Sequence, residues 1–367
     1  QKTAYEISLG LVGSEMCIRD RLGSENHAQM LSFAGFLPET KVATTSFASP
    51  DDLPRSLDFV RLTGILAHRE VSNGQGSLEL AVGAAKKALS RTDIEPSDID
   101  LVINCSVSKM DGNLSQHLSP SFATLIANEL QITNAQTFDV SNACAGMLTG
   151  LMIAESRINS GQCKHALVVS GEHITPIIDE AKRRNLYLHP RAMASLTVGD
   201  GAAAYILGES KEAGRIRFSE PFTMAQYNRH CIGQACKSHA GPQMRTRAKD
   251  LQNGIMDNLG DFLKRSIDYM ELQWNQIDHT YSHPTTPKAV KKGAKVAVEM
   301  MGEINFLHNN SAETANTAST THGVQLEISQ NSGYLKSDET ALLVSFGSGL
   351  AILAVHFKLP KGVENWL

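Results

Sequence analysis

The sequence predicts an α/β protein built from two similar layered halves. Two observations carry that reading: short apolar strands alternate with helices along the chain, and the order of elements in the first half recurs in the second. In the first half, LELAVGAAKKALS (78–90) has helical apolar spacing, and a turn with Pro96 leads into the strand DIDLVINCS (98–106). A helix at 122–130, TFDVSNACAGMLTG (137–150), KHALVVSGEH (164–173) and the strand AAAYILG (202–208) follow. In the second half, IMDNLGDFLKRSIDYM (255–270) leads into the strand QIDHTYSHP (276–284). A helix at 287–301, LHNNSAETANTASTTHG (307–323), ETALLVSFGSG (339–349) and LAILAVHFKL (350–359) follow in the same order. Strands separated by helices imply parallel pairing, so the halves are expected to form two sheets related by a pseudo-twofold axis, with helices between them. Loose self-similarity of any α/β chain is the plainer alternative.

The chain has 367 residues, of which 42% are hydrophobic and 20% charged, with a net charge of −4. This is globular composition, with enough length for two halves around a sizeable core. No global basic field points to nucleic acid, and no apolar run has the length of a membrane helix. The cysteines at 17, 105, 144, 163, 231 and 236 show no paired short spacing. Neither a metal site nor a disulfide framework is expected, and a reducing cytoplasm is the expected setting.

Residues 1–21, QKTAYEISLGLVGSEMCIRDR, fail as a signal peptide because Glu6 and Gly10 interrupt the apolar stretch. They resemble adaptor-derived sequence. Residues 1–29 are therefore expected to be a non-native or disordered leader, with a native start near Met30. The halves are placed at 30–209 and 210–367. Segment 219–245 is irregular and reads as a lid or an insertion.

The stretch DVSNACAGMLTGLMIAESRINSG (139–161) carries the chemistry. Strand-like TFDV runs into small residues and then a helix, with Met147, Leu148, Leu151, Met152 and Ile158 as its apolar stripe and Gly161 as its C-cap. Cys144 thus sits at a helix start, where unpaired N–H groups and the macrodipole are expected to favour a thiolate. A buried inert cysteine is the alternative. Cys105 and Cys163 read as structural. A nucleophilic thiol needs a partner. His283 ends the second-half strand, where side chains of α/β folds converge, and Asn316 lies in ANTAST, the internal counterpart of the Cys144 loop. Related halves would bring Cys144, His283 and Asn316 into one pocket. VGDGAAA (198–204) reads as a tight turn. In FGSGL (346–350), backbone N–H groups are placed to form an oxyanion hole with the N–H of Cys144.

These residues resemble a known family. DVSNACAGMLTGL, RLTGI (61–65), GDGA (199–202), ANTAS (315–319) and VSFGSGLAI (344–352) are similar, in the same order, to segments of the ketoacyl-acyl-carrier-protein synthase III family of the thiolase-like superfamily. The resemblance covers about residues 30–359. It implies a thiolase-like fold of layered αβαβα arrangement and an acyltransferase without metal or redox cofactor. By resemblance, Cys144 is the acylated nucleophile. His283 and Asn316 stabilise the enolate formed when a malonyl thioester loses carbon dioxide, and the backbones of Cys144 and Ser348 form the oxyanion hole. Asp200 is a structural support. The expected substrates are acyl and malonyl thioesters of coenzyme A or acyl carrier protein. A homodimer is the default assembly, with no nucleic-acid or membrane partner. The chain departs from the family at HPTT (283–286), where HQAN is common, and at Asp58, near which the family carries a tryptophan that stacks on coenzyme A.

Lys288, Lys291, Lys292 and Lys295 share one helix face beside His283. Carrier proteins are acidic, so this face is a candidate docking surface, with a merely solvated face as the alternative. The run AKRRNLYLHPRA (181–192) reads as a tunnel mouth or a surface loop. Alternative functions are an ester-, amide- or non-decarboxylative condensation-forming acyltransferase, or a partner subunit of a heterodimeric synthase. A Cys–His–Asn protease shares the residue order but lacks the expected sequence context around its cysteine.

Overall fold

The computed structural model describes residues 26–366, apart from 49–52, 54–56, 73, 185, 187, 213–214 and 238–239. Among the described residues eleven strands form the two main sheets: ten repeat one order, and the eleventh, Phe222–Thr223, pairs antiparallel with Ala351–Ile352. The first contains β1 (His27–Phe36), β2 (Leu101–Asn104), β3 (Gln136–Asp139), β4 (His165–Glu172) and β5 (Gly201–Ser210) in the order β1-β5-β4-β2-β3. The second contains β6 (Ile216–Phe218), β7 (His279–Ser282), β8 (Leu307–His308), β9 (Thr340–Gly347) and β10 (Ala351–Lys358) in the order β6-β10-β9-β7-β8. The sense of pairing repeats as well. β1–β5 and β5–β4 are antiparallel and β4–β2–β3 parallel. β6–β10 and β10–β9 are antiparallel and β9–β7–β8 parallel. The duplication legible in the element order is therefore a duplication of topology.

Six helices complete five layers. α1 (Ser77–Leu89) and α2 (Phe122–Glu129) cover the outer face of the first sheet, where Leu80, Ala84, Phe122 and Ile126 meet Val102, Leu167 and Val169. α4 (Ala248–Tyr269) and α5 (Pro287–Met301) cover the outer face of the second, where Ile255, Leu259 and Phe262 meet Leu342, Val344 and Ile352. Between the sheets lie α3 (Gly146–Asn159) and α6 (Thr321–Asn331). There Leu148, Leu151 and Leu326 pack with Ile103, Val168 and Tyr205 from one sheet and Tyr281, Leu343 and Val355 from the other. Strand residues thus alternate between a central and an outer core, as a sheet covered on both faces requires. The arrangement is αβαβα.

The expected leader boundary is corrected by one strand. β1 starts at His27, and His27–Gln29 pair with Gly208–Ser210. Those three residues belong to the first half, and Met30 is a buried interior residue of the strand, opposite Leu207. Residues 1–25 lie outside the described residues.

α6 is buried along nearly its whole length although its sequence, THGVQLEISQN, is polar. Its glutamate and the Gln330 amide are tied to neighbours, Gln330 donating to the Trp366 carbonyl at 2.6 Å. Glu327 accepts two hydrogen bonds from Arg91, at 2.6 and 2.8 Å, one from the Gly35 backbone, and an ion pair from Lys87. Burial opposes its ionisation, but Arg91 and Lys87 hold the carboxyl below its ordinary range. Close approach of α6 to β5 depends on Gly323: a Cβ there would lie 2.4 Å from the Ala203 Cβ. Gly323→Ala is expected to destabilise the protein by about 1–3 kcal/mol, because neither partner atom can swing away. The urea unfolding midpoint reads this; an unchanged midpoint would mean the central layer is looser than described.

Candidate active site

The nucleophile candidate is placed by a strand–turn–helix unit. β3 ends at Asp139, a 3-10 turn spans Ala143–Ala145, and α3 begins at Gly146. Cys144 is the middle residue of that turn. The turn is entered at Ala143 with φ +45°, a backbone region tolerated here because the surroundings fix it. The Ala145 N–H bonds the Asn142 carbonyl at 3.0 Å, and the Ser345 hydroxyl donates to the Cys144 carbonyl at 3.0 Å. Gly347 sits against the same turn: a Cβ on it would lie 2.8 Å from the Asn142 carbonyl oxygen.

His283 follows β7 directly. Its backbone N–H bonds the Val344 carbonyl at 2.8 Å, and its side chain is buried with Nδ1 unpartnered. The Val344 carbonyl also accepts from Nε2 of His322, at 3.0 Å, which places the proton of that neutral ring on Nε2. The two imidazole centroids are 6.1 Å apart. Adjacent residues of β9 therefore hold the two sides of the site, Val344 the histidines and Ser345 the cysteine turn.

Asn316 is fixed through its backbone. It donates to Thr197 at 2.9 Å and accepts from Gly199 at 3.1 Å, across the bridge to Val198. Its side-chain oxygen accepts from the Ala318 N–H at 2.9 Å, which leaves the amide N–H₂ as the outward group. The following 3-10 turn, Ala318–Thr320, packs on the Cys144 turn. Ser348 begins the turn between β9 and β10, and the Gly347 contact brings it next to the Cys144 turn. The structure thus gathers Cys144, His283, Asn316 and the Ser348 segment at one place between the halves.

Electrostatics here differ from the expected thiolate. Burial pushes the Cys144 thiol up, and nearby Cys231 and Glu172 add to the effect. Cys144 is a neutral thiol, and the helix-start argument is overridden by desolvation. His283 is lowered to about 3 by burial and by His322, and His322 to about 4 by burial. Both rings are neutral at pH 7.

Glu172, His322, Val344 and Ser345 were absent from the residues singled out in the sequence. The hydroxyl in VSFG and the histidine in TTHG were the available signals, yet their partners lie across the halves. Asp200 is a buried support: it accepts from Val71, Ile174 and Thr175 backbone N–H groups and from the Thr175 hydroxyl. Asp58 caps the short helix Phe59–Thr63 by accepting from the Arg61 N–H at 2.8 Å. The irregular segment contains the hairpin of Cys231–Ala235 and Pro242–Thr246. Arg184, from the basic run, bonds Gln243 of that hairpin at 2.7 Å. Upstream of the hairpin, Met224 exchanges backbone bonds with Leu350 beside the β9–β10 turn. Lys288, Lys291, Lys292 and Lys295 are all exposed on α5, and Lys288 reaches the Arg61 carbonyl. Among the described residues no helix is long and apolar enough to cross a membrane.

Residues 138–221 match the family model of 3-oxoacyl-[acyl-carrier-protein (ACP)] synthase III. A β-ketoacyl-[acyl-carrier-protein] synthase III of Staphylococcus haemolyticus is 27% identical over 90% of this chain and 98% of its own length. The same-named protein of Clostridium botulinum (strain Langeland) is 26% identical over 78% of this chain and 85% of its own. A crystal structure of Xanthomonas campestris OleA with bound lauric acid and lauroyl-CoA superposes with a TM-score of 0.80 at 21% identity, covering 91% of this chain and 99% of that one. The fold is thiolase-like. In sequence the chain is similar to the synthase III acyltransferases, as its motifs indicated.

The neutral histidines have a consequence for stability. In the unfolded chain they take up protons below about 6.5, in the folded chain only near about 3 and about 4. Their contribution is complete above 6.5 and is lost as pH falls toward the folded values. At pH 5 each is expected to cost on the order of 2 kcal/mol relative to pH 7. Thermal unfolding of the native chain should fall steeply from pH 7 to 5, and less steeply for His283→Gln/His322→Gln. Parallel slopes would contradict the assigned charge states.

Proposed function

We propose that the protein catalyses decarboxylative Claisen condensation of an acyl thioester, held on Cys144, with a malonyl thioester, giving a 3-oxoacyl thioester. The observation that carries this reading is the anchoring of Cys144 and His283 on neighbouring residues of β9, with the Asn316 loop packed on the same turn.

The Cys144 thiol attacks the acyl thioester carbonyl, the oxyanion is met by the backbone N–H groups of Cys144 and Ser348, and the carrier thiol departs with the proton. A malonyl thioester then binds, and its carboxylate leaves as carbon dioxide. The electron pair is held as an enolate whose oxygen accepts from the His283 ring and the Asn316 amide. A neutral donor suits this step, because it stabilises developing charge without forming a tight ion pair with the malonyl carboxylate. The enolate carbon attacks the Cys144 thioester carbonyl, the C–S bond breaks, and the sulfur leaves as a thiolate that takes a proton from solvent. No metal or redox group takes part in this sequence of steps.

The relatives are named for an acyl carrier protein, and the exposed lysines of α5 supply a cationic face for an acidic partner. We assign that face to carrier docking, with coenzyme A thioesters as the other donor class and a homodimer as the assembly. Free thiols at Cys105, Cys144, Cys163 and Cys231 fit a reducing cytoplasm.

Intact-mass measurement after incubation with acyl thioesters of increasing length, on coenzyme A and on carrier protein, should show one acyl adduct that Cys144→Ala abolishes. Carbon dioxide release from the malonyl thioester should fall about 10²–10³-fold in Asn316→Ala. An adduct without carbon dioxide release would instead indicate a non-decarboxylative transfer. Lys291→Glu/Lys292→Glu should slow reaction with carrier-bound substrate on the order of tenfold or more, through encounter, and leave coenzyme A substrates unaffected. Equal slowing of both would remove the docking assignment.

A further inference from the structure

Glu172 ends β4 and is completely buried. A carboxyl group in such a place is costly unless its oxygens are bonded, and here every contact is made. Oε1 accepts from the Val107 N–H at 2.9 Å, the Ser319 hydroxyl at 2.5 Å and the Ser170 hydroxyl at 3.3 Å. Oε2 accepts from the Ser108 N–H at 3.0 Å and the Ser108 hydroxyl at 2.8 Å. The Ser170 oxygen also lies 2.7 Å from that of Ser319, so its single proton goes either to Ser319 or to Oε1. The side chain thus joins the loop after β2, in the first half, to the turn after Asn316, in the second. That second turn is the one whose Ala318 N–H orients the Asn316 amide and whose residues rest on the Cys144 turn.

We propose that Glu172 is a positioning residue of the reaction: by clamping Ser319 to the first half it fixes the Asn316 amide relative to the Cys144 thiol. It touches no reacting atom and acts through the Ala318–Thr320 turn. The inference rests on the decarboxylative reading, since it assigns the Asn316 amide to the enolate. Two backbone N–H donors, one on each oxygen, make the carboxyl group specific. In Glu172→Gln the amide N–H₂ must face either Val107 N–H or Ser108 N–H, so one arm of the clamp opens. Ser319→Ala removes only the arm to the Asn316 turn and leaves the first-half loop bonded.

Three readouts on the full chain and both variants test this: amide hydrogen exchange across residues 315–321, acyl loading of Cys144 by intact mass, and carbon dioxide release from a malonyl thioester. Both variants should exchange at least tenfold faster in that segment and release carbon dioxide about tenfold more slowly, with acyl loading changed less than threefold. Exchange within twofold of native would overturn the proposal. So would faster exchange with unchanged release, which would leave Glu172 a purely structural clamp. A native chain that releases no carbon dioxide would remove the decarboxylative reading and with it the positioning role, whereas release by the native chain that is unchanged in both variants would remove the positioning role alone.

Discussion

The site depends on one short piece of backbone. At Val344 and Ser345 the strand β9 receives the His283 backbone N–H, the His322 ring and, through a serine hydroxyl, the carbonyl of Cys144. A strand interior is among the stiffest parts of a fold, so groups bonded to adjacent residues of it hold their separation. β9 itself lies in the middle of its sheet, paired with β7 and β10. The cysteine comes from one half, the histidines and the asparagine from the other, and β9 is where the halves are tied together.

Duplication explains why the arrangement exists at all. Each half carries a strand, a turn of small residues and a helix in its central layer: β3, the Cys144 turn and α3 in one, β8, the Asn316 loop and α6 in the other. Stacking the halves face to face brings the two turns into contact. It also explains the electrostatics. A turn at a helix start in an isolated half would be wet and would favour a thiolate. Closed over by the second half, the same turn is largely covered, and burial pushes the thiol up while holding His283 and His322 neutral.

Much of this was legible in the residues. The order of elements, the helix ending at Gly161 in a left-handed conformation, and the exposed α5 lysines follow from local patterns that structure rarely overrides. Cys144 was legible because small residues between a strand and a helix are uncommon at random. The thiol's charge state was not, because it is set by neighbours distant in sequence. Glu172 was hidden for the same reason: in VSGEH it reads as an ordinary polar strand end, and its five donors come from residues 107, 108, 170 and 319. The early start of β1 was missed although HAQM alternates, with Ala28 and Met30 buried: the pattern is only four residues long, and its pairing with residues 207–210 is what extends the strand.

The central claim is that the histidines anchored at Val344 are neutral hydrogen-bonding groups. Nitrogen NMR of ring-labelled histidine in the full chain, with His283→Gln and His322→Gln for assignment, reads this directly. Both rings should keep neutral-tautomer shifts from pH 8 to pH 5, with His322 protonated on Nε2. A midpoint near 6.5 for either ring, or an imidazolium signal at neutral pH, would contradict this and point to a charged site at rest.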